Sequence, residues 1–289
     1  MSGRLYVVAT PIGNLGDMSP RAVEALRGAD IIAAEDTQTS MTLLNRFDIK
    51  IKLVSNHKFN ESGVAGYFLE ELQSGKNIAL ISDAGTPCLS DPGNVLIKRA
   101  IENGIEIVGV PGPCAAVLAL SVSGFDMRGF EFLGFFPREG SEAKKLAQKL
   151  ESGSGVYVFY ESPKRITKTF EYMANNLPDC EICLCNDLTK KFERIYRGSP
   201  AQILKQLQEN PDAEKGEYTA VAKFQKKDAD LSEISPGMSA ESLIVDLMLR
   251  QKCSAKEAVT QLAIKNPHGF SKNELYAASL NLKKMFAHD

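Results

Sequence analysis

Leu5-Tyr-Val-Val-Ala9 runs directly into Thr10-Pro-Ile-Gly-Asn-Leu-Gly-Asp17. A short apolar run that empties into a glycine- and proline-rich loop is how a strand of a parallel sheet ends. The pattern returns twice: Asn77-Ile-Ala-Leu-Ile81 leads into Ser82-Asp-Ala-Gly-Thr-Pro87, and Ile105-Glu-Ile-Val-Gly-Val110 into Pro111-Gly-Pro-Cys-Ala115. All strands of a parallel sheet end on one edge, where open α/β sheets bind ligands. Each loop alone reads as a plain strand-to-helix turn; three on one edge read as one site.

Around these loops, residues 1–122 read as a first α/β domain. Ser19-Pro20 opens a helix to Gly28, with Ser as N-cap and Pro in the first turn. Further strands are expected at Ile31–Ala34 and Ile51–Val54, and helices near Thr39–Phe47, Glu61–Ser74 and Asn94–Asn103, a βαβ series that implies a mostly parallel sheet. Residues 123–226 are richer in aromatics, with strands expected at Phe130–Phe136, Val156–Tyr160, Glu181–Cys185, Glu193–Arg197 and Tyr218–Phe224. Helices at Ala143–Glu151, Lys164–Asn176 and Pro200–Asn210 complete a second domain with a mixed sheet. Residues 227–238, polar and closed by Pro236, read as a linker. Residues 239–289 hold three helical segments, Ala240–Arg250, Ser254–Lys265 and Ser271–Phe286. Ser254-Ala-Lys-Glu257 has capping-box spacing, and the connection Asn266-Pro-His-Gly269 resembles a helix-turn-helix.

A chain of 289 residues exceeds one compact core, and 44% hydrophobic with 24% charged residues is ordinary for a soluble protein. No signal-peptide-length apolar segment lies in residues 1–30 and no later run approaches a membrane span, so a cytoplasmic protein without membrane association is expected. Cys180-Glu-Ile-Cys183-Leu-Cys185 has the look of a metal site, but no fourth Cys or His stands near and the three histidines are His57, His268 and His288. It reads as a buried strand, with no metal expected. A net charge of −2 gives no bulk attraction for nucleic acid, so any such partner has to be argued from local sites.

The first loop has only Gly13 and Gly16, short of a Gly-x-Gly-x-x-Gly dinucleotide turn, and no Gly-x-x-x-x-Gly-Lys-Ser/Thr occurs. The second and third loops offer Asp83 beside glycines that permit close backbone approach, which suits a ligand with hydroxyls, an amine and a flat ring better than one with many phosphates. Glu35-Asp36 places two carboxylates after a strand, where repulsion raises the proton affinity of one, and His57 stands in a polar loop after the next strand. Phe159-Tyr-Glu-Ser-Pro-Lys-Arg165 and Leu188-Thr-Lys-Lys-Phe-Glu193 put aromatic and basic groups in loops of the second domain, where solvated charge at helix starts is an equal reading.

The wording of these segments resembles the ribosomal RNA small subunit methyltransferase I family, a branch of the tetrapyrrole methylase superfamily. The resemblance rests on residues 5–17, Ala34-Glu-Asp-Thr37, the stretch from His57 to Glu61, residues 82–87, Asp91-Pro-Gly93, residues 111–116, Phe159-Tyr-Glu-Ser162 and Leu188-Thr-Lys190. It implies a two-domain tetrapyrrole-methylase-like α/β fold with S-adenosylmethionine in the cleft between the domains, and a homodimer. It also implies methylation of the ribose 2′-oxygen of a cytidine in the decoding centre of 16S ribosomal RNA within the small subunit. Carried over by position, the cofactor rests against Pro11, Ile12 and Gly13, against Asp83, Gly85 and Thr86, against Cys114, Ala115 and Ala116, and against backbone near Tyr160, Thr219 and Ala220.

For the proton of the acceptor hydroxyl, position and chemistry nominate Asp36 or Glu35, with His57 as rival and Lys190 to orient the acceptor or stabilise developing negative charge. Two places depart from the family pattern, in which Arg follows Glu-Asp-Thr and the second-domain motif reads Arg-Glu-Leu-Thr-Lys; here they hold Gln38 and Asn186-Asp187. Neither amide offers a charged fork to an anion. Two other readings stay open: a methyltransferase of a small-molecule or tetrapyrrole-like acceptor, and an inactive ribosome-binding homologue. Residues 226–289 carry 9 Lys and Arg against 8 Asp and Glu, so RNA gripping and support of a dimer remain alternatives for the terminal module.

Overall fold

The structure is a computed structural model that describes residues 2–126, 128–138, 140–225, 239–265 and 269–285. The expected linker at 227–238 and residues 266–268 of the terminal connection lie outside the described residues. The chain divides into two compact units, Met1–Gln225 and Lys226–Asp289. No helix among the described residues is long and apolar enough to cross a membrane.

The first unit holds two five-stranded sheets. One is wholly parallel, built from β1 (Arg4–Val8), β2 (Ile31–Ala34), β3 (Lys52–Ser55), β4 (Ile78–Ile81) and β5 (Glu106–Val110), in the order β3-β2-β4-β1-β5. Its central strands are buried on both faces, which explains why they read as near-continuous apolar runs. Alternate side chains sort to opposite sides. Leu5, Ile31, Ala33, Ile78 and Leu80 pack with Phe68 and Leu72 of α3 (Glu61–Gln73) and Leu96 of α4 (Asn94–Glu102). Val8, Ile32, Ala34, Ala79 and Ile81 pack with Leu26 of α1 (Pro20–Arg27) and Leu44 of α2 (Thr37–Arg46). Ser19 caps α1 as read, accepting the Ala22 amide at 3.1 Å.

The second sheet is mixed, in the order β6 (Phe130–Phe135), β7 (Gly155–Glu161), β10 (Tyr218–Phe224), β8 (Glu181–Asn186) and β9 (Arg194–Gly198). Only β6 and β7 run parallel; the other pairs are antiparallel. α6 (Ser141–Ser152), α7 (Ile166–Asn176) and α8 (Pro200–Glu209) send Leu150, Phe170, Met173, Ile203 and Leu207 against one face. On the other face lies α5 (Ala115–Ser123), a helix absent from the sequence reading, whose Ala116, Ala119 and Leu120 pack with Val158, Cys183, Cys185 and Val221. Cys183 and Cys185 are thus core residues of β8.

The second unit contains α9 (Ala240–Gln251), α10 (Ala255–Lys265) and α11 (Lys272–Met285) around Leu243, Ile244, Leu247, Leu262 and Leu275. The Ser254–Glu257 capping box is present: Glu257 Oε2 accepts the Ser254 amide at 2.8 Å and Ser254 Oγ accepts the Glu257 amide at 3.3 Å. Ser271 and Glu274 repeat it before α11.

Candidate functional site

The three loops leave β1, β4 and β5, which are neighbours in the sheet, and they are stitched together by their backbones. The Thr10 amide donates to the Gly85 carbonyl at 2.9 Å and the Gly85 amide donates back to Thr10 at 3.1 Å. The Thr86 hydroxyl donates to the Pro113 carbonyl at 3.0 Å, which ties the second loop to the third. Gly85 sits at φ +82°, the left-handed region where L side chains are strained, and a Cβ there would stand 3.2 Å from Ile12 Cγ2.

Above these loops lies a cavity of about 310 Å³, within the range of small-molecule sites. One wall is Ile12, Ala84, Gly85 and Thr86, then Leu89, Ser90 and Asp91, with Cys114 and Ala115 from the third loop. The other comes from the second sheet: Phe135 of β6, Tyr160 and Glu161 of β7 with Ser162 and Pro163, Leu188 beyond β8, and Glu217, Tyr218 and Thr219 at the start of β10. The site therefore combines glycine-lined backbone, an apolar and aromatic patch, and carboxylates.

Of the residues nominated for a cofactor, Ile12, Gly85, Thr86, Cys114, Ala115, Tyr160 and Thr219 line the cavity. Pro11 and Ala116 are buried beside it, Gly13 is exposed, and Ala220 packs on the α6, α7 and α8 side of the second sheet with Phe159 and Leu184. Asp83 lies just outside, its Oδ1 accepting the Asp36 amide at 3.0 Å.

The nominated acid–base groups are placed differently. None of Glu35, Asp36, His57 and Lys190 lines the cavity. Asp36 is the N-cap of α2: its Oδ1 accepts the amides of Gln38 at 2.7 Å and Thr39 at 3.2 Å. His57 Nδ1 accepts the Phe59 amide at 3.2 Å, which leaves the neutral ring's proton on Nε2 and no free lone pair. Glu35 is half-buried, and its carboxyl is pushed up by burial and then by the Asp83 charge, against a hydrogen bond from the Asp83 backbone. Asp83 is itself raised by burial.

The residue that the sequence reading missed is Asp91. Burial first, then the charges of Glu35 and Asp83, push its carboxyl to about 7, only partly offset by a hydrogen bond donated by Ser82. It faces the cavity, so this group titrates where a ligand would sit. In the sequence its mark is the segment Asp91-Pro-Gly93.

Lys190 is tied to the opposite wall through Glu217. Its Nζ lies 2.7 Å from Asp187 Oδ1 and 3.0 Å from Glu217 Oε2, and Glu217 lines the cavity. Burial lowers its proton affinity, but the bonds to Asp187 and Glu217 outweigh this and hold the ammonium above the ordinary lysine range. Asn186, a position where the chain departs from the family wording, is buried, with its amide 3.4 Å from the carbonyls of Lys215 and Glu217. It braces the second wall from within. Gln38 is exposed on the first turn of α2. Glu161 is also structural: it is buried, accepts the Thr169 hydroxyl at 2.6 Å and meets Arg165 at 3.2 Å. Among the described residues no group of three or more His, Cys, Asp or Glu is arranged to hold a metal.

Residues 4–204 match the sequence model of the Tetrapyrrole (Corrin/Porphyrin) Methylases. Over 279 residues the chain is 37% identical to the ribosomal RNA small subunit methyltransferase I of Halalkalibacterium halodurans, which covers 95% of this chain and 93% of that one. It is 39% identical over 282 residues to the protein of the same description from Haemophilus influenzae, covering 97% of each. Among solved structures, diphthine synthase superposes with a TM-score of 0.60 at 14% identity, covering 77% of this chain and 90% of that one. Uroporphyrin-III-C-methyltransferase from Thermus thermophilus gives 0.53 at 17%, covering 78% and 93%. Both likenesses establish the α/β fold.

Proposed function

The chain belongs to the tetrapyrrole methylase family and, within it, to the ribosomal RNA small subunit methyltransferase I group, and from that premise we propose how it acts. It is a ribosomal RNA methyltransferase that uses S-adenosylmethionine and methylates the ribose 2′-hydroxyl of a cytidine in the decoding centre of 16S ribosomal RNA, working as a cytoplasmic homodimer. The observation that carries the cofactor is the cavity itself. It is glycine-floored where backbone has to approach closely, it has an apolar and aromatic wall from Ile12, Leu188 and Tyr160 for a flat ring, and it is edged by carboxylates suited to a cationic ligand. Ile12, Gly85, Thr86, Cys114, Ala115, Tyr160 and Thr219 hold the cofactor in this reading.

Bound there, S-adenosylmethionine supplies a methyl group already activated by its sulfonium. The protein's task is then to hold the acceptor in line and to take its proton. Asp36 is engaged as a helix cap and His57 by the Phe59 amide, so we assign the proton to Asp91, with Glu35 and Asp83 keeping its affinity high. A base with its midpoint near the working pH balances availability against strength. Lys190, fixed by Asp187 and Glu217 at the cavity's edge, orients the acceptor.

The deciding experiment is methyl transfer from labelled S-adenosylmethionine to small ribosomal subunits lacking the modification, with the labelled nucleotide mapped. Label on a cytidine ribose supports the reading. Label on a base, on a non-RNA acceptor, or nowhere overturns it; calorimetry showing no cofactor binding would instead leave an inactive ribosome-binding protein.

A further inference from the structure

Two loops, one tied to Gly93 by Glu61 and the other running on from the cavity-lining Leu188, carry the same dipeptide, Lys58-Phe59 and Lys191-Phe192, and both present it to solvent. Phe59 is 94% exposed and Phe192 72%, although phenylalanine is ordinarily a core residue. Neither loop is loosely held. In the first, the His57 amide donates to Asn60 Oδ1 at 2.8 Å, Asn60 Nδ2 donates to the Ser55 carbonyl at 3.1 Å, and Glu61 Oε2 accepts the Gly93 amide at 3.1 Å. In the second, Glu193 Oε2 accepts the Thr189 amide at 2.6 Å and Asp187 holds Lys190. The backbone takes positive φ at Asp187 (+53°) and Thr189 (+67°), costly conformations that this network imposes.

The loops also share an electrostatic plan. The acids, Glu61 and Glu193, are turned onto backbone amides, while Lys58 and Lys191 are exposed and engaged in no ion pair among the described residues. Lys191 Nζ stands 5.3 Å from the Phe192 ring centroid. Glu61 ties the first loop to Gly93, two residues from the cavity-lining Asp91, and Leu188 of the second loop lines the cavity from the other side. Each ring is largely exposed and has a lysine as its chain neighbour, with the His57 ring set edge-on to Phe59 at 6.1 Å.

We infer that Phe59 and Phe192 are stacking platforms for unpaired nucleotides flanking the acceptor, with Lys58 and Lys191 on the adjoining phosphates; this rests on the reading that RNA is the acceptor. An aromatic face with a neighbouring cation is the general device for single-stranded nucleic acid, because every base has a π-face. A paired A-form helix keeps its base faces covered, so the acceptor segment is unstacked when it reaches the cavity.

The chain contains no tryptophan, so Phe59→Trp or Phe192→Trp introduces a sole indole whose fluorescence reports stacking directly. We expect quenching by small ribosomal subunits and by an unstructured RNA oligonucleotide, and none by the same oligonucleotide annealed to its complement. Phe59→Ala and Phe192→Ala each raise KM for subunits roughly tenfold, with affinity for S-adenosylmethionine unchanged by calorimetry. Lys58→Ala and Lys191→Ala each lower the salt slope of RNA binding by about 0.7. Unquenched tryptophans together with unaltered KM, in an enzyme whose wild type labels the ribose, overturn the stacking role and leave the function standing. Quenching by ribosomal protein but not by RNA also overturns it. A wild type that labels no RNA overturns the function itself, and the platforms with it.

Discussion

The two walls of the cavity are held by different physics. The first-sheet wall is joined backbone to backbone, through Thr10–Gly85 and Thr86–Pro113, and needs glycine and proline at fixed places. The second-sheet wall is joined by side-chain charge, with Lys190 bridging Asp187 and Glu217 and Asn186 bracing from behind. A backbone scaffold is stiff and insensitive to salt, whereas a charge bridge at the solvent edge is screened and adjustable. We read the first wall as the seat of chemistry and the second as the element that positions the acceptor.

The largest effect tests the seat of chemistry. Asp91→Asn is expected to lower kcat by about 10²–10⁴, with S-adenosylmethionine affinity changed little. In wild type the rate is expected to rise with pH through about 7 as Asp91 ionises, and the variant is expected to lose this rise. The sign for stability is opposite. A carboxyl whose affinity is raised in the fold is stabilising only while protonated, so the native state loses stability as pH climbs from the unfolded carboxylate range to about 7. Asp91→Asn therefore has a higher Tm than wild type at pH 8 and an equal one near pH 4. A variant with full rate and an unshifted Tm would move the chemistry away from this wall.

Gly85→Val tests whether the backbone scaffold carries cofactor affinity. The substitution places a branched side chain at φ +82° and a Cβ 3.2 Å from Ile12 Cγ2. Strain of about 1–3 kcal/mol is expected, appearing as cofactor affinity weakened roughly 10–100-fold by calorimetry, at low and high salt alike. Loss that disappears at high salt would contradict the comparison.

The difference between the walls also explains what could be read in the sequence. Loops that need glycine and proline announce themselves, so residues 10–17, 82–87 and 111–115 were legible, as were the strands feeding them. α5 was not, because Ala115-Ala-Val-Leu-Ala-Leu-Ser-Val-Ser123 is apolar on every side and has no amphipathic stripe. Asp91 escaped because its shifted affinity comes first from burial and then from Glu35 and Asp83, and both depend on tertiary packing, the second on β2 lying next to β4, which strand order decides. Asp36 has the converse ambiguity: an acid at a strand-to-helix junction serves first as an N-cap, and Asp36 does so here. On the second wall, Phe135, Leu188 and Glu217 come from distant stretches joined by the register of a mixed sheet. No local motif encodes that meeting, and it is the part of the site least visible beforehand.

The smallest effect is expected where charge does the holding. Lys190→Met keeps the aliphatic stem that packs near Gly13 but leaves Asp187 and Glu217 without their shared cation. Glu217 is largely exposed, and Asp187, though mostly buried, keeps the Glu217 amide, so the cost in stability is about 1–3 kcal/mol. Two carboxylates freed at the cavity's edge repel an anionic acceptor more than a cationic cofactor. KM for the RNA substrate should therefore rise several-fold while S-adenosylmethionine binding holds, and the gap from wild type should narrow as salt screens the freed charges. Adding Glu217→Gln to Lys190→Met removes one of those charges and should recover part of the lost KM. A double variant worse than the single would show that Glu217 serves the acceptor directly, and that the second wall takes part in recognition as well as in positioning.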